Sequence, residues 1–163
     1  MARPPLQGRD NRRIAAPAAV VWDIIEDTGR LPSWVPMVTQ VDAAPGQREH
    51  VGATRTCQVH TMGRRGQITE RCTELVPQRS AFYVVAHDSL GFSRLVDDFS
   101  FAITAEAHDD AATTVTLSSH YRPRGLPGRL ANLLVLRRQL QRARRRMLAG
   151  LARLAEQPTL ARP

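Results

Sequence analysis

Residues 14–36 read IAAPAAVVWDIIEDTGRLPSWVP, and their order decides the fold. The β-compatible stretch from Arg12 to Ala16 breaks at Pro17, where a first helical turn tolerates a missing N–H. An apolar, helix-compatible run follows from Ala18 to Ile25, with Trp22 inside it. A polar hinge, Glu26 to Arg30, leads into Leu31-Pro32-Ser33-Trp34-Val35-Pro36, whose prolines hold a second helix to about one turn. The segment predicts strand, helix, short kinked helix, strand. It also sets Trp22 and Trp34 twelve residues apart in a chain that is only 5% aromatic.

Working outward, Met37 to Ala44 reads as a strand ended by Ala44-Pro45-Gly46. Gly52 to Thr61 and Gln67 to Val76, rich in Thr, Val and Ile, predict a hairpin closed by Gly63-Arg64-Arg65-Gly66. Symmetric closure sets Cys57 opposite Cys72, as two half-buried thiols, a cross-strand disulfide or a redox pair; a bulge in the turn would undo that pairing. Ala81 to His87 is a near-continuous apolar strand and Asp88 to Arg94 a loop. Leu95 to Ala107 alternates, with Asp97, Phe99, Phe101 and Ile103 on one face and Asp98 opposite. After the polar turn Ala107 to Ala112, Thr113 to Arg122 sets Val115, Leu117, Ser119 and Tyr121 on one side, until Arg124-Gly125-Leu126-Pro127-Gly128 breaks the strand.

From Arg129 to Glu156 the pattern is helical: Leu133, Leu136, Leu140, Ala143, Met147, Leu151 and Leu154 recur at spacings of three and four. Arg138, Arg142, Arg145, Arg146 and Arg153 fall on the far side, while Arg137 and Arg144, one heptad apart, sit at the edge of the apolar stripe. Gly150 is a mild helix penalty, and Gln157-Pro158 ends the helix. The order is therefore strand, two short helices, six strands, long helix. Short turns between consecutive strands imply antiparallel pairing. The fold class is α+β: a seven-stranded curved antiparallel sheet wrapped around a long C-terminal helix, with two short helices between strands 1 and 2 and a space between sheet and helix. A single domain over residues 1–163 is expected, with a core at about 10–157.

A 42% hydrophobic composition excludes a disordered chain, and no apolar run approaches the ~20 residues a membrane-spanning helix needs. The opening MARPPLQGRDNRR has no apolar core of a secretory signal, so a cytoplasmic protein is expected. All 23 basic residues are arginine. Residues 1–121 carry 12 Arg against 14 acidic residues, whereas residues 122–163 carry 11 Arg and the single acid Glu156. That basic helix reads as a solvated face, as contact with an anionic membrane surface or acidic partner, or, least of all, as a nucleic-acid site, since it lacks interleaved aromatics. The five histidines show no metal-ligand spacing, and there is no G-x-S-x-G, phosphate loop or dinucleotide fingerprint, so neither metal nor cofactor is expected.

Ala16-Pro17, Val21-Trp22, Asp27, Leu31, Trp34-Val35-Pro36, the stretch Thr69 to Pro77, and Tyr121-Arg122-Pro123 before the arginine-rich helix together resemble the START/SRPBCC superfamily, which has the birch-pollen-allergen fold. The chain is most similar to its polyketide cyclase/dehydrase branch. The resemblance implies a helix-grip fold with a hollow interior for a hydrophobic polyketide-, lipid- or quinone-like molecule. Candidate ligand-binding residues are Trp34, at the pocket entrance, with Met37, Phe99, Phe101, Val115, Leu117, Ser119, Leu133, Leu136, Leu140 and Met147, while Arg137 and Arg144 could reach the cavity rim and meet an anionic head group. Trp22 reads as packing. The alternative is a cofactor-free cyclase/dehydratase with Asp97 as base and Tyr121 or Arg71 as donor; Asp97 reads more readily as a strand-start residue near solvent or the partner of an arginine such as Arg137.

Overall fold

The computed structural model describes residues 3–44 and 46–157; Pro45, in the expected turn, and Pro158, at the expected helix end, lie outside the described residues. The chain opens with β1 (Leu6–Ile14), α1 (Ala18–Glu26), a 3-10 turn at Thr28–Arg30 and α2 (Leu31–Trp34). Six strands follow: β2 (Val38–Asp42), β3 (Thr54–Thr61), β4 (Arg64–Val76), β5 (Ser80–Asp88), β6 (Val96–Asp109) and β7 (Ala112–Pro123). The long helix then runs from Gly125 to Ala155 as α3 (Gly125–Ala131), a π turn (Asn132–Leu136) and α4 (Arg137–Ala155). The strands form one antiparallel sheet in the order β1-β7-β6-β5-β4-β3-β2. This is the expected α+β helix-grip architecture. Consecutive β1 and β2 stand at opposite edges, so α1 and α2 must carry the chain from one edge to the other.

The opening segment behaves as its residues dictate. The Pro17 carbonyl accepts from the amides of Val20 and Val21 at 3.0 and 3.1 Å, starting α1. Val21, Trp22, Ile24 and Ile25 face inward. The Trp22 indole donates to Glu26 Oε1 at 2.5 Å one turn on, and Asp27 accepts from the Gly29 amide at 3.1 Å to cap the 3-10 turn. Ile14, Val115 and Leu151, all fully buried, join these to α4 in the main core, where each such side chain contributes about 1.5–3 kcal/mol.

Four local departures from the expected pattern matter. First, β1 begins at Leu6, ahead of the expected Arg12. Second, the β3–β4 hairpin closes on Met62-Gly63, with φ of 50° and 72°, instead of on four residues. This two-residue turn with both φ positive matches the twist of the strands. It pairs Cys57 with Ile68, so the expected Cys57–Cys72 juxtaposition across this hairpin is wrong; both thiols are free and buried, and Cys72 pairs with Tyr83.

Third, β6 carries a bulge between Asp97 and Ser100, with Asp98 at φ 57°. One extra residue reverses the facing of everything before it. Fourth, Arg124–Gly128 ends β7 as expected, but the long helix starts within it at Gly125, ahead of the expected Arg129, and Pro127 in the first turn forfeits no helical bond. A Cβ at Gly128 would lie 2.3 Å from the Leu95 carbonyl oxygen, so this crossing requires glycine.

Candidate functional site

A cavity of about 370 Å³ lies between the sheet and the long helix, within the ~300–1,000 Å³ of ordinary small-molecule pockets. Leu31 and Trp34 of α2 close one end; Val59 of β3, Phe101 and Ile103 of β6, and Leu117 of β7 form the floor; Leu136, Leu140 and Met147 form the roof. Its two most exposed lining side chains, Met62 at 55% and Val135 at 51%, mark the opening.

Among the residues singled out from the sequence, Trp34, Met37, Phe99, Phe101, Leu117, Ser119, Leu136, Leu140 and Met147 all line this cavity. Trp34 does so from the buried end, 2% exposed, and not from the entrance. Val115 is fully buried in the core beside it. Trp22 lies in the same core and outside the cavity wall.

The other expectations need correction. Leu133 is 66% exposed. The π turn inserts one residue into the helical phase, so residues upstream of it rotate by about 100°, which turns Ala131 and Asn132 inward in its place. Arg137, the first residue of α4, is exposed, whereas its heptad mate Arg144 is buried. Asp97, flipped outward by the β6 bulge, accepts from Arg124 Nε at 2.8 Å, and that bond holds its carboxyl below its ordinary pKa. Arg71 stands between the inward Glu70 and Cys72 and is exposed. Tyr121 is fully buried, but its hydroxyl donates to Asn132 Oδ1 at 2.5 Å, tying β7 to the π turn. Burial pushes its pKa up, against the pull of Arg137 and Arg144. The expected Asp97, Tyr121 and Arg71 constellation is therefore not assembled.

A different polar set is. Arg55 of β3, 5% exposed, lines the cavity and donates from Nε to Glu70 Oε2 at 2.7 Å and from Nη1 to Glu49 Oε1 at 2.6 Å. Its guanidinium lies 4.4 Å from the centre of the Tyr83 ring, and Thr28 Oγ1 donates to Glu49 at 3.1 Å. Burial works against the charge, but Glu70 and Glu49 outweigh it and hold the Arg55 pKa above its ordinary value. Across the cavity, Arg144 donates from Nη1 to Ser119 Oγ and from Nε to Asp10 Oδ2, each at 2.9 Å. A Cβ on Gly8 would lie 2.7 Å from Arg144 Nη2, so that glycine makes room for the guanidinium.

Among the described residues, two buried side-chain atoms lack a hydrogen-bond partner: Trp34 Nε1 and Tyr83 Oη. The first belongs to a cavity-lining residue, as Arg55 and Glu70 also are. Chemically, these groups can donate to a carbonyl or phenolate oxygen and accept from a hydroxyl, with Arg144 and Ser119 a second polar pair in a mainly apolar wall.

Arg55 carried a signal that the sequence reading missed. It shares strand parity with Cys57 and Val59, and the true hairpin register sets it directly opposite Glu70; the four-residue turn would have set it opposite Glu74. Glu49 lies in an irregular loop, where no periodicity points to it.

Solved structures share this fold. The chain superposes on the ZhuI aromatase/cyclase from Streptomyces sp. R1128 with a TM-score of 0.74 and 20% identity, covering 91% of this chain and 92% of that one. A START superfamily protein from Mycobacterium smegmatis gives 0.71 at 12% identity, over 92% and 97% of the two chains. A norcoclaurine synthase point mutant from Thalictrum flavum, bound to a transition-state analogue, gives 0.69 at 12% identity, over 95% and 97%. No curated protein matches the sequence. The sequence model of the family described as polyketide cyclase / dehydrase and lipid transport matches residues 7–156, and the chain belongs to that family.

Proposed function

We propose that this protein binds one largely apolar small molecule, polyketide-, lipid- or quinone-like, with an oxygen-bearing end seated against Trp34, Arg55 and Glu70. The observation that carries the reading is the buried, unpaired indole N–H of Trp34, a residue that lines a mainly apolar cavity. A buried donor left unmade costs about 1–3 kcal/mol, and a ligand acceptor would recover it. Membership of a cyclase and lipid-transport family supports the same reading. Two free, buried thiols fit a reducing compartment such as the cytoplasm.

The cyclase alternative rests on other residues than the sequence suggested. With Asp97 on the outer surface, a base inside the cavity would have to be Glu70, and the cation facing a developing enolate would be Arg55. The Arg55 bond keeps Glu70 occupied as an acceptor, which favours holding a ligand over abstracting a proton.

Native mass spectrometry of the gently purified protein should show a co-purifying species at one per chain. Titration with 1-acetonaphthone and with naphthalene tests the polar end. Trp34→Phe should weaken the ketone about two- to ten-fold, the value of one hydrogen bond, and leave naphthalene unchanged. Ala143→Phe, which fills the cavity from α4, should abolish both. Equal binding of both probes to wild type and Ala143→Phe would overturn the proposal.

A further inference from the structure

Between Gly125 and Leu136 the long helix exposes an apolar surface that nothing in the fold covers. Leu126, Leu130, Leu133, Leu134 and Val135 are each more than half exposed, within ten consecutive positions. The same segment borders the cavity opening, because Ala131 and Val135 also line the cavity. On the facing rim Met62, at the tip of the β3–β4 hairpin, is likewise exposed and lining. The exposed leucines are thus the outward continuation of the cavity wall.

Both rims are basic. Arg64 and Arg65 follow Met62, and Arg129, Arg137 and Arg138 interleave or flank the leucines; all five are exposed. Among the described residues none of the five is in an ion pair. No acidic residue occurs from Arg122 to Ala155. The surface therefore combines aliphatic side chains with unneutralised guanidinium groups around the opening marked by Met62 and Val135.

We infer that this rim docks on an anionic lipid surface, with the cavity opening facing the bilayer. An acidic protein could match the arginines, but the apolar part is leucine and valine, which are under-represented among the residues that dominate protein interfaces. Aliphatic chains enter the headgroup–acyl boundary without needing a complementary shape, and arginines at the same level meet anionic headgroups. That a ligand passes from the bilayer into the cavity rests on the binding reading above; the docking itself does not.

Co-sedimentation with vesicles of phosphatidylcholine alone, and with ~30% phosphatidylglycerol added, tests the docking. The protein should bind the anionic vesicles and scarcely the neutral ones. Raising salt towards ~1 M, where the screening length shrinks to about 3 Å, should weaken binding without abolishing it, because the apolar contact persists. The double variant Leu130→Gln/Leu134→Gln keeps the charge and should lose about ten-fold or more in partitioning. Arg129→Gln/Arg138→Gln should lose about five-fold per arginine on anionic vesicles. Naphthalene titration of both variants in lipid-free solution should match wild type, which separates failure of docking from failure of the cavity reading.

Equal binding to both vesicle types would overturn the inference. So would anionic binding that the leucine variant leaves intact, or retention on polyglutamate resin that equals vesicle binding and survives the leucine substitutions; the last outcome would assign the surface to an acidic protein.

Discussion

Arg55 is buried as deeply as the leucines around it, and two carboxylates compensate its buried charge. Replacing one member of such a set leaves the others charged and unpaired, whereas the exposed Arg124–Asp97 pair is bathed in water and salt that already screen it. The same burial acts on the thiol of Cys57. Removal from water, with Glu70 nearby, pushes its pKa from 9.0 up to about 12. The group is neutral when protonated, so the folded state prefers the protonated form. Below pH 9.0 both states hold the proton and this contribution to stability is complete; between 9.0 and about 12 the unfolded chain releases it first and stability falls as pH rises. Urea midpoints should therefore drop across this window, and Cys57→Ala should flatten the slope. Burial raises Cys72 and Tyr83 in the same direction, so part of the slope persists. Parallel wild-type and variant curves would show that the thiol is not held as described.

Helix α4 approaches α2 closely at Gly150. A Cβ at Gly150 would lie 2.4 Å from the Trp34 carbonyl oxygen and 3.1 Å from its Cα. From the sequence, Gly150→Ala should stabilise the helix by up to ~1 kcal/mol. In the fold, the added methyl must push α2 off α4, and overpacking of this kind costs about 1–3 kcal/mol. Gly150→Ala should thus lower the melting temperature and, by moving Trp34, weaken 1-acetonaphthone more than naphthalene. A variant that melts higher would mean that α2 is not seated on α4. The π turn acts at the same scale. It lets Asn132 accept from Tyr121 while α4 keeps its apolar stripe on the sheet, and it turns Leu133 and Leu134 outward.

In the whole molecule, a cavity of about 370 Å³ is lined by groups that lose contacts when nothing fills it. A ligand at a hundred times its Kd stabilises the native state by about 2.7 kcal/mol, which for a chain of this size shifts Tm by about 5–10 °C. Protein stripped of its co-purifying molecule by organic extraction and refolding should melt lower by that amount, and 1-acetonaphthone should restore part of the difference. An unchanged melting temperature alongside a genuine bound mass would place the ligand outside the cavity. The uneven charge belongs to this scale too, since Arg129, Arg137 and Arg138 of the last quarter flank the opening, whereas Arg153 reaches the Ser33 carbonyl of α2 at the closed end.

The order of elements was legible in the amino-acid sequence because strand and helix periods are local: Pro17, the apolar runs and the three-four spacing of the last helix each act within a few residues. The same patterns placed most of the apolar cavity wall. The polar interior was decided elsewhere, by three insertions or deletions of register. A two-residue turn at Met62-Gly63 brought Arg55 opposite Glu70, a bulge at Asp98 sent Asp97 outward, and a π turn sent Leu133 outward. The bulge and the π turn each add one residue, which exchanges the buried face for the solvent face, whereas the turn changes only which residues stand opposite each other. Only the packing of β3, β6 and the long helix against distant parts of the chain selects among such alternatives, so the cavity's walls belong to the sequence and its chemistry to the tertiary structure.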